Sequence, residues 1–138
     1  AKCLHRVVRD RVIGQCFPSE DAVDGISITW GRAPRARGRR RSHRRSIRLG
    51  SYCSERRLIR VHRVLDHHDV PAWFVAWVVF HELLHAAEPP TAGSGGRRVV
   101  HTAAFRRREQ AHPDTERARR WLARHLDVLL ERANGRER

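Results

Sequence analysis

The chain has 138 residues, 40% of them hydrophobic, and a net charge of +14, which gives the length of one domain with its own core. No stretch reaches the about 18 uninterrupted apolar residues that a membrane helix needs, so no membrane span is predicted. The three cysteines (Cys3, Cys16 and Cys53) are odd in number and form no C-x-x-C pair, so a complete disulfide framework is not implied.

The beginning of the chain and the cysteines bear on its cellular compartment. Residues 1–5 contain no apolar segment of the kind found in a secretory signal peptide. We interpret the cysteines as reduced thiols and expect a cytoplasmic protein. The chain starts at Ala1 and contains no Met, so we expect the numbering to begin inside a longer gene product. Residues 1–138 are interpreted as a single domain.

The first half of the chain is predicted to form one helix and three strands. Apolar residues recur close to a 3.6-residue period over residues 2–17, which predicts an amphipathic helix. Strands are predicted over residues 26–30, 46–52 and 58–65. Between the first two strands, residues 33–45 form a basic loop, interpreted as an insertion, which proline and glycine keep irregular.

The second half is predicted to be helical. Residues 69–71 cap a long helix, with a proline near its first turn, and the apolar residues 71–80 indicate burial on most sides. Two prolines at residues 89–90 end this helix, and further helices are predicted over residues 102–110 and 114–132. Together these elements predict an α+β fold, in which a small antiparallel sheet of about three strands packs on a helical core.

His81, Glu82 and His85 form the pattern H-E-x-x-H at the end of the apolar helix. Residues four apart on a helix share a face, with Cβ atoms roughly 5–6 Å apart, so both imidazoles can bind one metal ion. Glu82 can then act as a general base toward water. A chain with ten histidines can match this pattern by chance. The loss of hydration of ionisable groups on a buried helix is nevertheless costly, and binding to zinc compensates for it. We therefore predict a zinc-dependent hydrolase, with peptides as the favoured substrate.

A hydrolytic zinc site usually has three protein ligands, so a third ligand is expected downstream of the motif. We favour His101, because the loop over residues 91–100 can return the chain to the motif and because neutral imidazole suits zinc. Glu109 is the alternative, since a glutamate on a later helix can also complete such a site. His112 directly precedes a proline and is less favoured.

The motif and its surroundings resemble the SprT-like metallopeptidases, the family that includes Spartan. Their pattern is H-E-x-x-H, a loop, and then H-x-x-x-F or W. Five residues match this pattern one by one: His81, Glu82, His85, His101 and Phe105. Upstream, residues 28–31, 46–50 and 58–62 look similar to the short strands that precede the motif helix in that family. The resemblance covers about residues 25–125.

The resemblance implies a zincin-like domain in which the three matched histidines bind zinc, Glu82 catalyses, and a protein or peptide is the substrate. Two departures stand out. Thr102 occupies the place of a glycine after the third histidine, and the Cys-rich zinc ribbon of some members is absent from this sequence. Tyr52 and Arg106 are candidates for a further oxyanion donor, but no positional argument supports either, and a structural role is favoured for both.

The positive charge of the chain is the second unusual feature. Lysine and arginine total 29 residues, of which only Lys2 is lysine, and residues 35–45 contain seven arginines. One interpretation is contact with DNA, because guanidinium groups match phosphate oxygens and displace counterions. The other is a solvated loop, since an extreme arginine bias can follow from a GC-rich coding sequence. The sequence leaves both interpretations open.

We expect a zinc metalloendopeptidase, and two other functions remain open. One is a zinc-stabilised nucleic-acid-binding domain without catalytic activity, for which four protein ligands would be expected around the metal. The other is a zinc hydrolase that acts on bonds other than peptide bonds. Glu82 distinguishes the first alternative from the hydrolases, because a carboxylate between two ligands has a role in catalysis but none in a structural zinc site.

Overall fold

The computed structural model describes Leu4 and residues 8–32 and 45–135. In chain order its elements are α1 (Arg9–Cys16), β1 (Ser27–Trp30), β2 (Gly50–Cys53), β3 (Leu58–Val61), α2 (Ala72–Ala87), β4 (Thr91–Ala92), β5 (Arg98–Val99), α3 (Ala103–Ala111) and α4 (Thr115–Ala133). The predicted α+β class is confirmed: four helices accompany a small three-stranded sheet in the described part of the chain. None of these helices is both long and apolar enough to cross a membrane.

The three-stranded sheet is mixed, so the prediction of an antiparallel sheet is wrong for one of its two strand pairs. β2 and β3 pair antiparallel across the turn at residues 54–57. β3 lies in the centre of the sheet and runs parallel to β1, with Ile28 opposite Ile59. A parallel pair needs a long connection, and the chain between β1 and β3, which includes β2, provides it. Local apolar patterns predict strands but do not say which strands pair.

Helix α2 forms the centre of the core and contacts β2, β3 and the other three helices. Its buried apolar side chains point in several directions, as its sequence predicts: Phe74, Val75, Val78, Val79, Phe80, Leu83 and Leu84. The inward-facing sheet residues Ile28, Ile59 and Val61 are fully buried in the same core. Close packing on several sides holds α2 in place, which matters because the H-E-x-x-H motif occupies its C-terminal half.

The start of α2 differs from the prediction. The helix begins at Ala72 with Pro71 as its N-cap residue, and no side chain caps it. Asp69, expected in the cap, instead accepts a hydrogen bond from Nη2 of Arg132 at 2.7 Å. This hydrogen bond is the main cause of the lowered pKa of Asp69. The carboxylate therefore attaches the end of α4 to the segment before α2 rather than starting the helix.

Two of the predicted strands are shorter in the structure. The strand predicted over residues 58–65 ends at Val61, because Nδ1 of His62 accepts a hydrogen bond from the backbone N–H of Val64 at 3.0 Å. This bond turns the chain into a short 3₁₀ helix. A local hydrogen bond such as that of His62 competes with strand pairing and cannot be seen in an apolar pattern. The strand predicted over residues 46–52 begins only at Gly50.

The remaining differences lie in the loops and at the N-terminus. The loop predicted over residues 91–100 contains the small hairpin β4–β5, which was not predicted. The N-terminal helix predicted over residues 2–17 is confirmed over Arg9–Cys16. Residues 33–44, nearly all of the basic loop, lie outside the described residues, as does Cys3. Cys16 and Cys53 are free thiols.

Candidate metal centre

The three predicted metal ligands come together at one place. His81 and His85 lie on α2, and His101 lies in the segment just before α3. Each offers one ring nitrogen, and these three atoms all lie within 4.8 Å of one another. No other group of three or more His, Cys, Asp or Glu side chains in residues 8–32 and 45–135 converges in this way. The arrangement can therefore hold one metal ion.

The chain returns to the motif through a short structured segment. α2 ends at Ala87, and the β4–β5 hairpin then reverses the chain before His101. Thr102 follows as the N-cap of α3, where its Oγ1 accepts a hydrogen bond from the backbone N–H of Phe105 at 3.1 Å. A threonine cap fixes where α3 starts and thus where His101 stands.

Phe105 forms the floor of the site. Its ring is 1% exposed, and its centroid lies 5.2 Å from that of His81, 4.6 Å from His85 and 4.9 Å from His101. One aromatic ring therefore contacts all three imidazoles from the core side. Packing of this kind restricts the rotation of each imidazole and leaves the opposite side open to the cleft.

Glu109 is a partner of one ligand rather than a member of the ligand group. Its Oε2 lies 2.5 Å from Nδ1 of His81, and its Oε1 accepts a hydrogen bond from Arg119 at 3.3 Å. Burial raises the pKa of Glu109, but the hydrogen bond with His81 and nearby positive charge outweigh it, so the net pKa is lowered. A charged acceptor at Nδ1 leaves Nε2 of His81 for a metal, the usual way in which a carboxylate orients a ligating histidine.

We expect Glu109→Ala to weaken zinc binding by about 10–100-fold, because His81 would lose the acceptor that sets its orientation. Glu109→Gln keeps an acceptor without the charge and should cause a smaller loss. Competition with a chromophoric chelator measures both affinities. Glu116→Gln, an exposed position in the first turn of α4, is the matched control. Unchanged affinity in Glu109→Ala would contradict this role.

Two of the three imidazoles have lowered pKa values. Burial and the neighbouring histidines lower the pKa of His85 to about 4, and burial also lowers the pKa of His101. A metal binds the neutral form of imidazole, so a lowered pKa favours the state that a metal requires. These groups fit a divalent ion such as zinc, for which histidine nitrogens are common ligands.

The lowered pKa of His85 predicts acid sensitivity of the metal-free protein. In the unfolded chain His85 takes up a proton below its ordinary pKa of 6.5, whereas in the folded chain it stays neutral down to about pH 4. Stability is therefore full above pH 6.5 and falls as the pH drops toward 4. After allowance for solvent screening, the loss is about 1–2 kcal/mol. Thermal unfolding with chelator present measures it, and a slope unchanged in His85→Gln would contradict the assignment.

Glu82 is a buried carboxylate beside the three imidazoles. It is 5% exposed, and within the described residues no hydrogen bond to its side chain is found. Burial raises the pKa of Glu82, against the charges of His81 and Arg48, which lower it. The carboxyl group lines the same cleft as the three imidazoles, so it can act on a molecule bound there.

Gly50, at the start of β2, leaves the room in which Glu82 lies. A Cβ atom at residue 50 would stand 2.9 Å from Cγ and 3.0 Å from Oε1 of Glu82, and 3.1 Å from Cγ1 of Val78. This role of Gly50 was not predicted from the sequence. A glycine inside a predicted strand is a signal for the close approach of another group, and it could have indicated the contact.

We expect Gly50→Ala to displace the Glu82 carboxylate. If Glu82 is the general base expected from the sequence, peptide hydrolysis should fall at least tenfold while zinc binding persists, because small misplacements of a reacting group are costly. Overpacking should also destabilise the fold by about 1–3 kcal/mol. Gly14→Ala is the matched control, since a Cβ there meets no atom within 4 Å. Chelator competition, thermal unfolding and peptide hydrolysis separate these effects. Full activity in Gly50→Ala would show that Glu82 needs no such room.

The histidines and Glu82 face a cleft of about 320 Å³. Residues 47–50, which lead into and begin β2, line its opposite side. The two suggested oxyanion donors do not line this cleft in the described structure: Tyr52 packs against the core, and Arg106 lies exposed on α3. His112 packs against Phe80 instead, with ring centroids 4.3 Å apart.

Comparison with known proteins does not assign the chain to a family. No protein-family model, no curated protein and no solved structure matches it.

Proposed function

We propose that the protein is a zinc-dependent peptidase. The observation that carries the proposal is the convergence of three imidazoles, all within 4.8 Å at their ligand atoms, beside the buried and unpaired carboxyl group of Glu82. The ligand group supports metal binding, and Glu82 supplies a base next to it. Both groups open into a cleft large enough for part of a peptide.

In this proposal His81, His85 and His101 hold the zinc ion, which when bound acts as a Lewis acid on water and on a carbonyl oxygen. Glu82 accepts a proton from the attacking water as the water oxygen bonds to the carbonyl carbon. The carboxylic acid then gives this proton to the departing amine nitrogen as the C–N bond breaks. The raised pKa of Glu82 supports both steps, because a buried carboxyl group takes up a proton more readily.

The position of β2 supports a peptide as substrate. Among the described strands β2 lies at an edge of the three-stranded sheet, so one row of its backbone groups is unpaired. An extended peptide can add to such an edge through main-chain hydrogen bonds. Residues 47–50 connect this edge directly to the cleft, which would carry a bound peptide past Glu82.

We also infer membership of the SprT-like family and a zincin-like arrangement of the motif helix and sheet. One contact supports this inference beyond the residue types of the motif. Phe105, the aromatic residue of the H-x-x-x-F pattern, packs against all three imidazoles. This packing gives a physical reason for the spacing of the pattern.

A zinc-stabilised nucleic-acid-binding domain is the competing proposal, supported by the charge of +14. A structural zinc site is normally closed by four protein ligands, whereas the converging group in the described residues has three. Contact between DNA and the arginine cluster at residues 35–45 is compatible with either proposal. Stimulation of hydrolysis by DNA that falls steeply with salt would support such contact.

The test is hydrolysis of an unstructured protein by the zinc-loaded and the chelator-treated chain. We expect new termini, identified by mass spectrometry, in the loaded sample and their disappearance after chelation. Their disappearance excludes a contaminating metal-independent protease, and re-addition of zinc should restore them. A loaded protein that binds zinc tightly and cleaves nothing, with or without DNA, would contradict the proposal and favour a structural metal.

A further inference from the structure

Arg48 is an exposed cation between two grooves. It lines the cleft of the metal centre and also a second groove of about 300 Å³ on the sheet, together with Arg56 and Arg60. None of these three guanidinium groups makes a hydrogen bond or ion pair in the described part of the chain. By contrast, Arg57 donates to two backbone carbonyls and Arg132 to Asp69, so those arginines hold the fold together.

The second groove lies beside the edge strand. Ser51 and Cys53 of β2 pair with Arg60 and Leu58 of β3, and all four line this groove. Because Ser51 and Cys53 have small side chains, a molecule bound at the β2 edge can reach the side chain of Arg60. Neighbouring strands are about 4.8 Å apart, so a peptide added to β2 would run about 10 Å from β3, a distance that an arginine and a glutamate side chain can bridge together.

The positive charge of Arg48 also acts on the groups that line the cleft of the metal centre. It contributes to the electrostatics of both Glu82 and His85, which places it near the reacting groups. A peptide that continues from the cleft along β2 would therefore meet Arg48 first, then Arg60 opposite Ser51, and then Arg56 in the turn after β2. Three unpaired guanidinium groups in this order match carboxylate side chains.

We propose that this groove is a substrate subsite for acidic side chains, so that the enzyme prefers peptides with Asp or Glu on one side of the cleaved bond. The inference rests on the proposed peptidase function and names its substrate class. Side chains alternate between the two faces of an extended peptide, so every second residue would point into the groove.

The test uses two pairs of quenched fluorescent peptides of equal length, and each pair compares Glu with Gln at alternate positions. In one pair these positions lie on the N-terminal side of the cleavage site, and in the other they lie on the C-terminal side. We expect kcat/KM to be about tenfold higher for one Glu peptide than for its Gln partner. Arg48→Gln should remove most of this preference. Arg48→Glu should reverse it in favour of a Lys peptide, a change that a merely structural role would not produce.

A matched control separates this subsite from the general positive charge of the chain. Arg124→Gln, at an exposed position on α4 outside both grooves, removes the same charge and should leave the preference intact. Equal cleavage of Glu and Gln peptides in both pairs would overturn the subsite. Equal loss of preference in Arg48→Gln and Arg124→Gln would also overturn it.

Binding to zinc-loaded Glu82→Gln protein, measured by fluorescence anisotropy with the same peptides, provides a readout without turnover. Tighter binding of one Glu peptide, lost in the double variant with Arg48→Gln, supports the subsite, and equal binding overturns it. If native protein cleaves no peptide, the peptidase proposal fails, and this measurement still decides whether the groove binds acidic segments.

Discussion

Glu82→Gln is expected to lower peptide hydrolysis by about 10²–10⁴-fold, the usual contribution of a general base, while zinc binding is retained. Glutamine has nearly the same size and shape but cannot accept the proton from water. The chain should fold at least as stably as the native chain, because the substitution removes a buried carboxyl group that has no hydrogen-bond partner in the described structure. Initial rates, bound zinc and thermal unfolding provide the three measurements.

The combination of these outcomes distinguishes the candidate functions. A hydrolase keeps fold and metal and loses activity, whereas a zinc-stabilised binding module would be unaffected in all properties. Glu116→Gln, exposed on α4, controls for the loss of one carboxylate. Native activity in Glu82→Gln would show that another group accepts the proton and would remove the main support for the mechanism.

His101→Ala has the second large expected effect, the loss of tight zinc binding. Two imidazoles on α2 would remain, and removal of a direct ligand should weaken binding by more than the about 10–100-fold typical of a change in a ligand's partner. The fold should persist, because His101 is exposed and precedes α3 rather than packing in the core. Chelator competition and circular dichroism check the two parts separately.

His68→Ala is the control for His101→Ala, since His68 is also exposed and lies outside the converging group. It should bind zinc with native affinity. If His101→Ala also binds with native affinity, another side chain must complete the site, and Glu109, adjacent to His81, becomes the first substitute to test by a double substitution.

The parts of the site that depend on local geometry were predictable. The spacing of His81 and His85 on a continuous helix places both imidazoles on one face, and a loop of suitable length indicated the return of His101. The apolar sequence of α2 also predicted its burial. These inferences need only the period of a helix and the length of a connection, both of which are visible in the sequence.

Contacts between distant parts of the chain could not be predicted in the same way. The parallel pairing of β1 with β3 depends on which strand occupies the centre of the sheet. Gly50 and Glu82 are 32 positions apart, and their close approach follows from the packing of β2 on α2. Glu109 was expected as a ligand alternative, and its hydrogen bond to His81 depends on how α3 packs against α2.

The β4–β5 hairpin has a consequence for the conformational entropy of the segment that joins α2 to α3. The backbone pairing of β4 with β5 brings residues 91 and 99 together. The flexible length between His85 and His101 is therefore shorter than their separation in sequence, and the entropy cost of closing a loop falls with its length. Substitutions that break this pairing should therefore weaken the convergence of His101 with the other two imidazoles, although they touch no ligand.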